Sequence, residues 1–323
     1  MDYNKRIIVA GAGKSGIGAA KLLLTHGAEV IVFDQNENAD KLEILYQLGD
    51  YEKAGVVIGK LDDSLLDTID LMVISPGISI DAPFTAEFRK RNIPIWSEVE
   101  LAYQIANGKL AAITGTNGKT TTTSLLGEIC KAYNPDTYTV GNIGIPYTQT
   151  ADQTTASSIT VAEISSFQLE AIVDFHPDVS AVLNVTPDHL DRHHTFVLNY
   201  EDENTRMMAD HIPAKAFFFS VQTDLSEGAC LRDKQLVIRT RMIQDGFTTG
   251  GFSYADTPVE YEILSVDEMK LLGVHNIENY LAAISMAYFM GIPVDVIRKA
   301  CMEFQGVEHR IEFVKEVKGV TYY

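Results

Sequence analysis

The segment Ala111–Ser124, AAITGTNGKTTTTS, restricts the possible folds more than any other part of the chain. An apolar run, 110–113, leads into a stretch of glycine, asparagine, lysine and threonine, and a helical pattern through Ile129 follows. This order predicts a strand, a glycine loop and a helix N-terminus, which together make an anion site. The segment therefore predicts an α/β fold with a bound anion.

The glycine loop has the residue types of a phosphate loop. Lys119 would reach the outer phosphates of a nucleotide, and the Thr120 hydroxyl would ligate Mg²⁺. The strict Walker A pattern is not met, because Ile113 stands where its first glycine would be. A plain turn in an ordinary α/β unit is the alternative, but Gly-Lys-Thr at a strand-to-helix junction favours the phosphate loop.

Composition limits the classes of partner and compartment. The net charge of −18 argues against a nucleic-acid or anionic-membrane surface, so an anionic ligand must be held by local groups. Cys130, Cys230 and Cys301 are far apart and odd in number, which indicates buried, reduced thiols of a cytoplasmic protein. No apolar run approaches membrane-spanning length, and the N-terminus enters a strand directly, so we expect no signal peptide.

The pattern along the 323 residues predicts two domains and the start of a third. The first hundred residues alternate strands and helices, as in a parallel doubly wound sheet. A second α/β unit starts at Lys109. We expect domains at 1–107 and 108–308, followed at 309–323 by a hinge and one strand.

A second glycine fingerprint lies near the N-terminus. Gly11-Ala-Gly13-Lys-Ser-Gly16 follows a strand and opens a helix, and Asp34 ends the next strand, the layout of a dinucleotide-binding βαβ unit. On this motif alone NAD is the default ligand, and a tight turn that needs small residues is the alternative. Ser75-Pro-Gly77 ends another strand, so both loops could contact one ligand.

Two further polar groups follow strands. Glu163 ends an apolar run, where a carboxylate is well placed to ligate Mg²⁺; a solvated strand-end glutamate, which is common, is the alternative. The segment 188–193, DHLDRH, contains His189 and follows the strand AVLNV. Histidine is an unusual ligand for Mg²⁺, and an exposed polar turn is the alternative reading.

Eight segments taken in order over nearly the whole chain resemble the Mur ligase superfamily: GAGKSG, SPGIS, GTNGKTT, GNIGIP, AEISSFQLE, NVTPDHLDRH, GVHNIENYLAA and GVEHR. GTNGKTT is typical of the superfamily. EISSFQLE and DHLDRH, joined to a Rossmann-like first domain, are most similar to its D-glutamate-adding branch. The resemblance implies a Rossmann-like N-terminal domain followed by a P-loop ATP-binding central domain.

The resemblance also implies roles for individual residues. The first domain would hold the UDP part of a substrate instead of NAD, and the residues implied for that substrate are Gly13, Lys14, Ser15, Asp34, Ser75, Gly77, Asn142 and His189. Those implied for ATP are Gly115, Thr116, Asn117, Gly118, Lys119, Thr120, Thr121, Asn279 and Arg310. Lys119, Glu163 and His189 would be catalytic, with Thr120 and Glu163 on one Mg²⁺ and His189 on a second.

The implied reaction joins D-glutamate to UDP-N-acetylmuramoyl-L-alanine in peptidoglycan precursor synthesis. The alanine carboxylate would attack the γ-phosphate of ATP to form an acyl phosphate, and the D-glutamate amine would then displace phosphate. The family is usually monomeric, which implies a monomer here.

Two departures from the family pattern stand out. Residues 190–214 contain no lysine, although the family carries one after DHLDRH, normally carbamylated, as a ligand of the second Mg²⁺. We place the missing helix between Phe196 and Val197, as an internal deletion or a disordered segment that the sequence leaves out. The chain also stops at Tyr323, where the family continues into a third domain, so this polypeptide alone is expected not to complete catalysis.

Three other interpretations remain open at the level of sequence. The chain could be another Mur ligase or a folylpolyglutamate synthase, which lack the combination of a GAGKSG domain with EISSFQLE. It could be an NAD-linked oxidoreductase joined to a P-loop module. It could also be a non-catalytic nucleotide-binding fragment of the ligase.

Overall fold

The computed structural model describes residues 4–49, 52–184, 195–212, 215–244, 251–307, 315–317 and 320–322. The chain divides into two compact units. Unit 1 comprises Met1–Asn107, Val140–Thr155 and Ile164–Phe175. Unit 2 comprises Gly108–Thr139, Ala156–Glu163 and His176–Tyr323. Unit 1 is thus built from three stretches of sequence, a feature that the linear pattern did not indicate.

Unit 1 contains a five-stranded parallel sheet in the order β3-β2-β1-β4-β5. Its strands are β1 Arg6–Ala10, β2 Glu29–Asp34, β3 Ala54–Ile58, β4 Leu71–Ile74 and β5 Ile95–Ser97. The helices of its first stretch are α1 Lys14–Thr25, α2 Lys41–Leu48, α3 Asp63–Leu66, α4 Thr85–Lys90 and α5 Glu98–Tyr103.

The strand order of unit 1 determines where a ligand can bind. Strands β1 and β4 are buried apolar runs, as expected for central parallel strands. After β1 the chain builds the sheet towards β2 and β3, and it then returns to the other side with β4 and β5. The order reverses between β1 and β4, and in open α/β sheets ligands bind at the carboxyl ends of the strands at such a point.

Two buried carboxylates join the three stretches of unit 1. Glu98 Oε1 accepts from the backbone N–H and the hydroxyl of Thr148, at 3.1 and 2.9 Å, and Glu98 Oε2 accepts from Gln168 Nε2 at 3.5 Å. Glu100 accepts from the three consecutive backbone N–H groups of 173–175. Because both carboxylates are buried, they depend on these donors to offset their desolvation.

Unit 2 is organised around a larger sheet, in the order β14-β13-β12-β11-β10-β9-β6-β8-β7. The strands are β6 Lys109–Thr114, β7 Thr137–Gly141, β8 Ile159–Glu163, β9 Val179–Val182, β10 Thr195–Asn199, β11 Lys215–Ser220, β12 Gly228–Arg232, β13 Gln235–Gln244 and β14 Phe252–Ser265. The remaining helices are α6 Lys119–Tyr133, α7 Ser166–Leu169, which belongs to unit 1, α8 Glu203–Ala209, α9 Val274–Phe289 and α10 Val294–Glu303.

The core of unit 2 forms where α6, α9 and α10 cover the sheet. Nearly every side chain of α9 is buried, because its sequence is apolar around most of its circumference. The strands from β8 to β12 pair in parallel, whereas β12, β13 and β14 pair antiparallel. Strand β6 lies between β8 and β9, so the loops that follow these three strands meet at one edge.

The position that we predicted for the missing segment falls within strand β10. Phe196 and Val197 are successive residues of β10, opposite Ser180 and Ala181 of β9. The same two residues also pair with successive residues of β11, so a helix inserted between them would interrupt β10 between two paired positions. The apolar run FVLN is a buried parallel strand of this chain, and an internal deletion at this position stays a prediction.

Other sequence predictions can be compared with the strands. Lys215 opens β11, which confirms that it starts a strand. The last segment was predicted as one strand, and this is wrong, because it forms two short antiparallel strands, β15 Lys315–Val317 and β16 Val320–Tyr322. Two residues, one of them a glycine, separate these strands in the sequence, a spacing typical of a hairpin that we overlooked.

The three cysteines are buried and free, as predicted. Burial raises the pKa of the Cys130 thiol to about 12. Within the described part of the chain, we find no helix with the length and hydropathy needed to cross a lipid bilayer.

Glu98 predicts a pH dependence for the stability of unit 1. Burial raises the pKa of Glu98 above its ordinary value of 4.5, although hydrogen bonds from Thr148 and Gln168 oppose this rise. The folded unit therefore keeps a proton that the unfolded chain has lost, and its stability should fall as pH rises from 4.5 through the folded pKa. One such group contributes at most about 1.4 kcal/mol per pH unit.

We expect Glu98→Gln to flatten this part of the stability profile. Urea unfolding can be followed through Trp96, the single tryptophan, which lies in β5 and reports on unit 1. Glu87→Gln is the control, because Lys90 and Arg91 lower the pKa of Glu87 and its contribution has the opposite sign. A Glu98→Gln profile parallel to that of the wild type would contradict the assignment.

Candidate functional site

The glycine loop of unit 1 joins β1 to α1. Gly16 in the first turn of α1 must be glycine, since a Cβ there would lie 1.9 Å from the carbonyl oxygen of Gly11. Asp34 at the end of β2 holds the same loop, because its Oδ2 accepts from the N–H of Ala12 at 3.0 Å. Its Oδ1 accepts from the N–H of Asn36 at 2.9 Å. The loop therefore presents backbone and the N-terminus of α1 at the point where strand order reverses.

Ser75 follows β4 and lies against this loop. A Cβ on Gly11 or Gly16 would come within 2.9 or 2.8 Å of Ser75 Oγ. That hydroxyl is buried and has no hydrogen-bond partner among the residues that the structure describes. Buried polar atoms are nearly always paired, so an unpaired hydroxyl beside a glycine loop indicates a place for a polar ligand. Gly77 lies two residues further along the same turn.

Lys14 connects the glycine loop with the GNIGIP segment. Lys14 is the first residue of α1, and its Nζ donates to the carbonyl oxygen of Gly144 at 2.8 Å. Asn142, two residues before Gly144, has an exposed side chain in this loop. These contacts join four segments, which hold residues that were all predicted for one substrate: Gly13, Lys14, Ser15, Asp34, Ser75, Gly77 and Asn142.

The phosphate loop of unit 2 joins β6 to α6. Gly118 caps α6 with φ of +85°, and a Cβ there would lie 2.3 Å from Asn279 Oδ1, so glycine is required twice over. Lys119 opens the helix, and its Nζ donates to the carbonyl oxygens of Gly115 and Thr116 at 2.6 and 3.2 Å. The ammonium thus lies beside the loop and the helix N-terminus, where an anion is favoured.

Asn184 holds the phosphate loop, and the sequence analysis missed it. Its Oδ1 accepts from the N–H groups of Thr116 and Asn117, at 3.0 and 2.8 Å. Its Nδ2 donates to the carbonyl oxygen of Asn117 at 3.1 Å, and the N–H of Thr116 also donates to its backbone oxygen. Asn184 begins the NVT part of a quoted motif, but only the pairing of β9 with β6 brings it to the loop.

Thr120 and Glu163 are the described candidates for a Mg²⁺ site. Glu163 is the last residue of β8, is 2% exposed, and pairs with Ile113 of β6, next to the start of the phosphate loop. Thr120 is buried in the first turn of α6. A carboxylate and a hydroxyl are the hard oxygen donors that Mg²⁺ prefers, so the residues present fit the ion.

Asn279 of α9 lies against the start of α6. Its Oδ1 accepts from Thr122 Oγ1 at 3.3 Å, and its Nδ2 donates to Asn276 Oδ1 at 3.3 Å. Its side chain is thereby fixed beside Gly118, and a role at adenine stays a prediction. His189, the DHLDRH segment around it and Arg310 lie outside the described residues.

Each unit thus carries a glycine loop at the carboxyl end of a central parallel strand, which defines an α/β nucleotide-binding protein. The chain matches the Mur ligase middle domain over residues 113–287 and the Mur ligase MurD-like N-terminal domain over residues 5–97. It is 45% identical to a UDP-N-acetylmuramoylalanine–D-glutamate ligase of Lachnospira eligens, over 100% of this chain and 73% of that protein. The same enzyme of Lachnoclostridium phytofermentans is 43% identical, over 99% and 71%.

Solved structures agree at the level of the fold. UDP-N-acetylmuramate:L-alanyl-γ-D-glutamyl-meso-diaminopimelate ligase from Neisseria meningitides has a TM-score of 0.56 and 17% identity, covering 94% of this chain and 99% of that chain. UDP-N-acetylmuramate–alanine ligase from Thermotoga maritima has a TM-score of 0.51 and 19% identity, covering 97% and 71%. The chain belongs to the Mur ligase family, ATP-dependent ligases of peptidoglycan synthesis.

The relatives also bear on the missing segment. The alignment with the Lachnospira eligens protein extends over 344 positions, more than the 323 residues of this chain. That relative therefore contains residues with no counterpart here. This agrees with an internal difference in length, and its place in the sequence stays a prediction.

Removing the Asn184 side chain should loosen the phosphate loop. In Asn184→Ala the N–H groups of Thr116 and Asn117 lose their shared acceptor, and we expect ATP affinity to fall about tenfold, or about 1.4 kcal/mol. Titration with a fluorescent ATP analogue in the presence of Mg²⁺ measures this. Asn184→Asp keeps the acceptors but adds negative charge near the phosphates, so it should bind no better than Asn184→Ala.

Asn134→Ala is the matched control for Asn184→Ala. Asn134 also links two loops, through Ser157 O and the N–H of Asp136, but it follows the far end of α6. It should lower stability and leave ATP affinity within about twofold. Equal loss of affinity in both variants would mean that Asn184 acts only through general stability.

Proposed function

We propose that this protein is an ATP-dependent ligase that joins D-glutamate to UDP-N-acetylmuramoyl-L-alanine. The observation that carries the proposal is the identity of 45% to a relative of that name over the whole of this chain. The two glycine loops support it, because one reaction needs two nucleotides, ATP and a UDP-linked acceptor. We assign the UDP substrate to unit 1 and ATP to unit 2.

The reaction forms an amide at the expense of ATP. A carboxylate oxygen of the alanyl group attacks the γ-phosphorus, the bond to the β-phosphate oxygen breaks, and ADP leaves. The D-glutamate amine then attacks the acyl carbon of the resulting acyl phosphate. The C–N bond forms, inorganic phosphate leaves, and the amine loses a proton. Anionic oxygens gather in both steps, so catalysis depends mainly on positioned donors and positive charge.

The phosphate loop supplies these groups from unit 2. Lys119 has its ammonium at the loop carbonyls, and we infer that it moves to the β- and γ-phosphates when ATP binds. The N–H groups at the start of α6 are further donors for the phosphates of ATP. Asn184 keeps the loop in the conformation that presents them.

Magnesium fits the residues present. Thr120 and Glu163 would hold one ion, and His189 is the candidate for a second. When bound, Mg²⁺ neutralises phosphate charge and polarises the phosphoryl oxygens. The position of Glu163 at the end of β8, opposite Ile113 and next to the start of the phosphate loop, supports this role.

The loops of unit 1 suit a diphosphate. Lys14 adds a positive charge at the N-terminus of α1, and Ser75 offers an unused hydroxyl beside Gly16. Both oxygens of Asp34 already accept from backbone N–H groups, and they keep lone pairs for a ribose hydroxyl or a uracil N–H. We place this activity in the cytoplasm and in a monomer.

Product formation tests the proposal directly. The protein is incubated with ATP and Mg²⁺, and phosphate release is measured with the UDP substrate alone, D-glutamate alone, both, or neither. For a polypeptide that also carries the third domain of the family, we expect release to require both, and the amide product to be seen by mass spectrometry; residues 1–323 alone are expected to bind the substrates without forming the amide. NADH binding at the unit 1 loop, by fluorescence titration, would instead support an oxidoreductase.

Replacing Lys119 should weaken the binding of ATP and leave the binding of the UDP substrate unchanged. Lys119→Met removes the ammonium at the phosphate loop, and we expect ATP affinity to fall at least tenfold with no change for the UDP substrate. Calorimetric titration of each ligand measures both. Lys131→Met, on the last turn of the same helix, is the control and should bind both ligands normally. Loss of both ligands in Lys119→Met would contradict separate sites.

Replacing Ser75 should weaken the binding of the UDP substrate and leave the binding of ATP unchanged. Ser75→Ala removes only an unpaired hydroxyl, so the fold should be retained and UDP-substrate affinity should fall about fivefold, or about 1 kcal/mol. Gly16→Ala, with its Cβ 1.9 Å from a carbonyl oxygen, should abolish that binding. ATP titration checks that unit 2 is intact in both. Unchanged UDP-substrate affinity in Ser75→Ala would remove Ser75 from the site.

A further inference from the structure

Unit 2 contains a second cavity, away from the phosphate loop. Its volume is about 570 Å³, within the range of small-molecule sites. It lies at the amino end of β6, where Lys109 lines it, whereas the phosphate loop follows the carboxyl end of that strand. The six residues of β6 separate the two by about 20 Å. Tyr133, the last residue of α6, lines the same cavity.

The walls of this cavity are aromatic and held in place. Tyr288 donates its hydroxyl to the carbonyl oxygen of Met242 at 2.7 Å, and its ring packs 5.7 Å from that of Tyr261. Gln244 Nε2 donates to the carbonyl oxygens of Tyr288 and Ile292, at 2.9 and 3.0 Å. These bonds fix the rings, so the site is largely formed before any ligand enters.

Two groups that line this cavity favour the binding of an anion: the Lys109 ammonium and the N-terminus of α10. Lys109 Nζ donates to the carbonyl oxygen of Met290 at 3.0 Å, and an ammonium has three N–H donors, so others remain for a ligand. Helix α10 begins beside it at Val294, after Pro293, without a side-chain cap on its first N–H groups. An anion is favoured at such a helix N-terminus.

Two other charged residues, Arg298 and Asp295, affect how strongly the cavity favours an anion. Arg298 lines the cavity, but its guanidinium is occupied by Glu268 at 2.8 Å and by the carbonyl oxygen of Ile263 at 2.9 Å. Its charge is therefore largely compensated. Asp295, exposed on the first turn of α10, opposes an anion at the same place. Lys109 is thus the residue on which anion binding depends, and Asp295 is the one that limits it.

We propose that this cavity binds a small aromatic compound that carries a carboxylate. The ring packs on Tyr133 and Tyr261, and the carboxylate accepts from Lys109. This site is separate from the phosphate loop of unit 2, and it does not depend on the ligase reaction proposed above.

The experiment uses three small probes on the purified protein. 4-Hydroxybenzoate has both the ring and the acid, phenol lacks the acid, and cyclohexanecarboxylate lacks the aromatic ring. Affinity is measured by ligand-observed NMR titration. We expect 4-hydroxybenzoate to bind with a Kd on the order of 1 mM or below, and each of the other probes to bind at least fivefold more weakly.

Four variants locate the site. Lys109→Met should weaken 4-hydroxybenzoate about tenfold and leave phenol unchanged, while Asp295→Asn should strengthen the acid two- to threefold. Tyr133→Ala should weaken both aromatic probes. Lys119→Met should change none of them, which separates this cavity from the phosphate loop.

Matched controls and a contrary result complete the test. Lys131→Met removes an exposed lysine from the same helix, and Tyr46→Ala removes an exposed tyrosine from unit 1, so neither should change binding. A thermal melt of Lys109→Met checks that losing the bond to Met290 has not unfolded the unit. Equal binding of phenol and 4-hydroxybenzoate, or no binding of either at 10 mM, would overturn the proposal; so would equal losses in Lys109→Met and Lys131→Met.

Discussion

The phosphate loop of unit 2 depends on side chains from distant parts of the chain. Asn184, after β9, binds two of its N–H groups and one of its carbonyl oxygens. Asn279, on α9, lies so close to Gly118 that only glycine fits there. A loop of glycine and small polar residues has many conformations in isolation, so these contacts select the one that presents its N–H groups. The position of Lys119 at the helix N-terminus follows from that selection.

The three stretches of unit 1 are joined by buried carboxyl groups. Its three stretches come from separate parts of the sequence, and Glu98 and Glu100 on α5 bind donors from the second and third. A buried carboxylate without donors is strongly unfavourable, so the carboxylates and the donor segments stabilise each other. The loop near Gly144, which meets Lys14, is thereby held beside the glycine fingerprint.

The strengths of the sequence analysis follow from the physics of the motifs. Lys119 and Gly16 could be identified because glycine loops and helix N-termini use local backbone geometry, which neighbouring residues encode. The ligand of the first loop could not be identified from its motif, because the same N–H groups can bind any diphosphate. UDP replaced NAD as the predicted ligand only through the resemblance to the family. Asn184 and the cavity at Lys109 were missed because each is formed by residues far apart in sequence.

The sequence alone determined the fold class, the two glycine loops and the family, since hydrophobic periodicity and short motifs are local properties. Tertiary structure decided that Phe196 and Val197 lie within one strand, because pairing on both sides of β10 is not visible in the linear pattern. It also decided that 140–155 and 164–175 join unit 1. Those assignments depend on buried hydrogen bonds and strand order, and both arise only when distant segments meet.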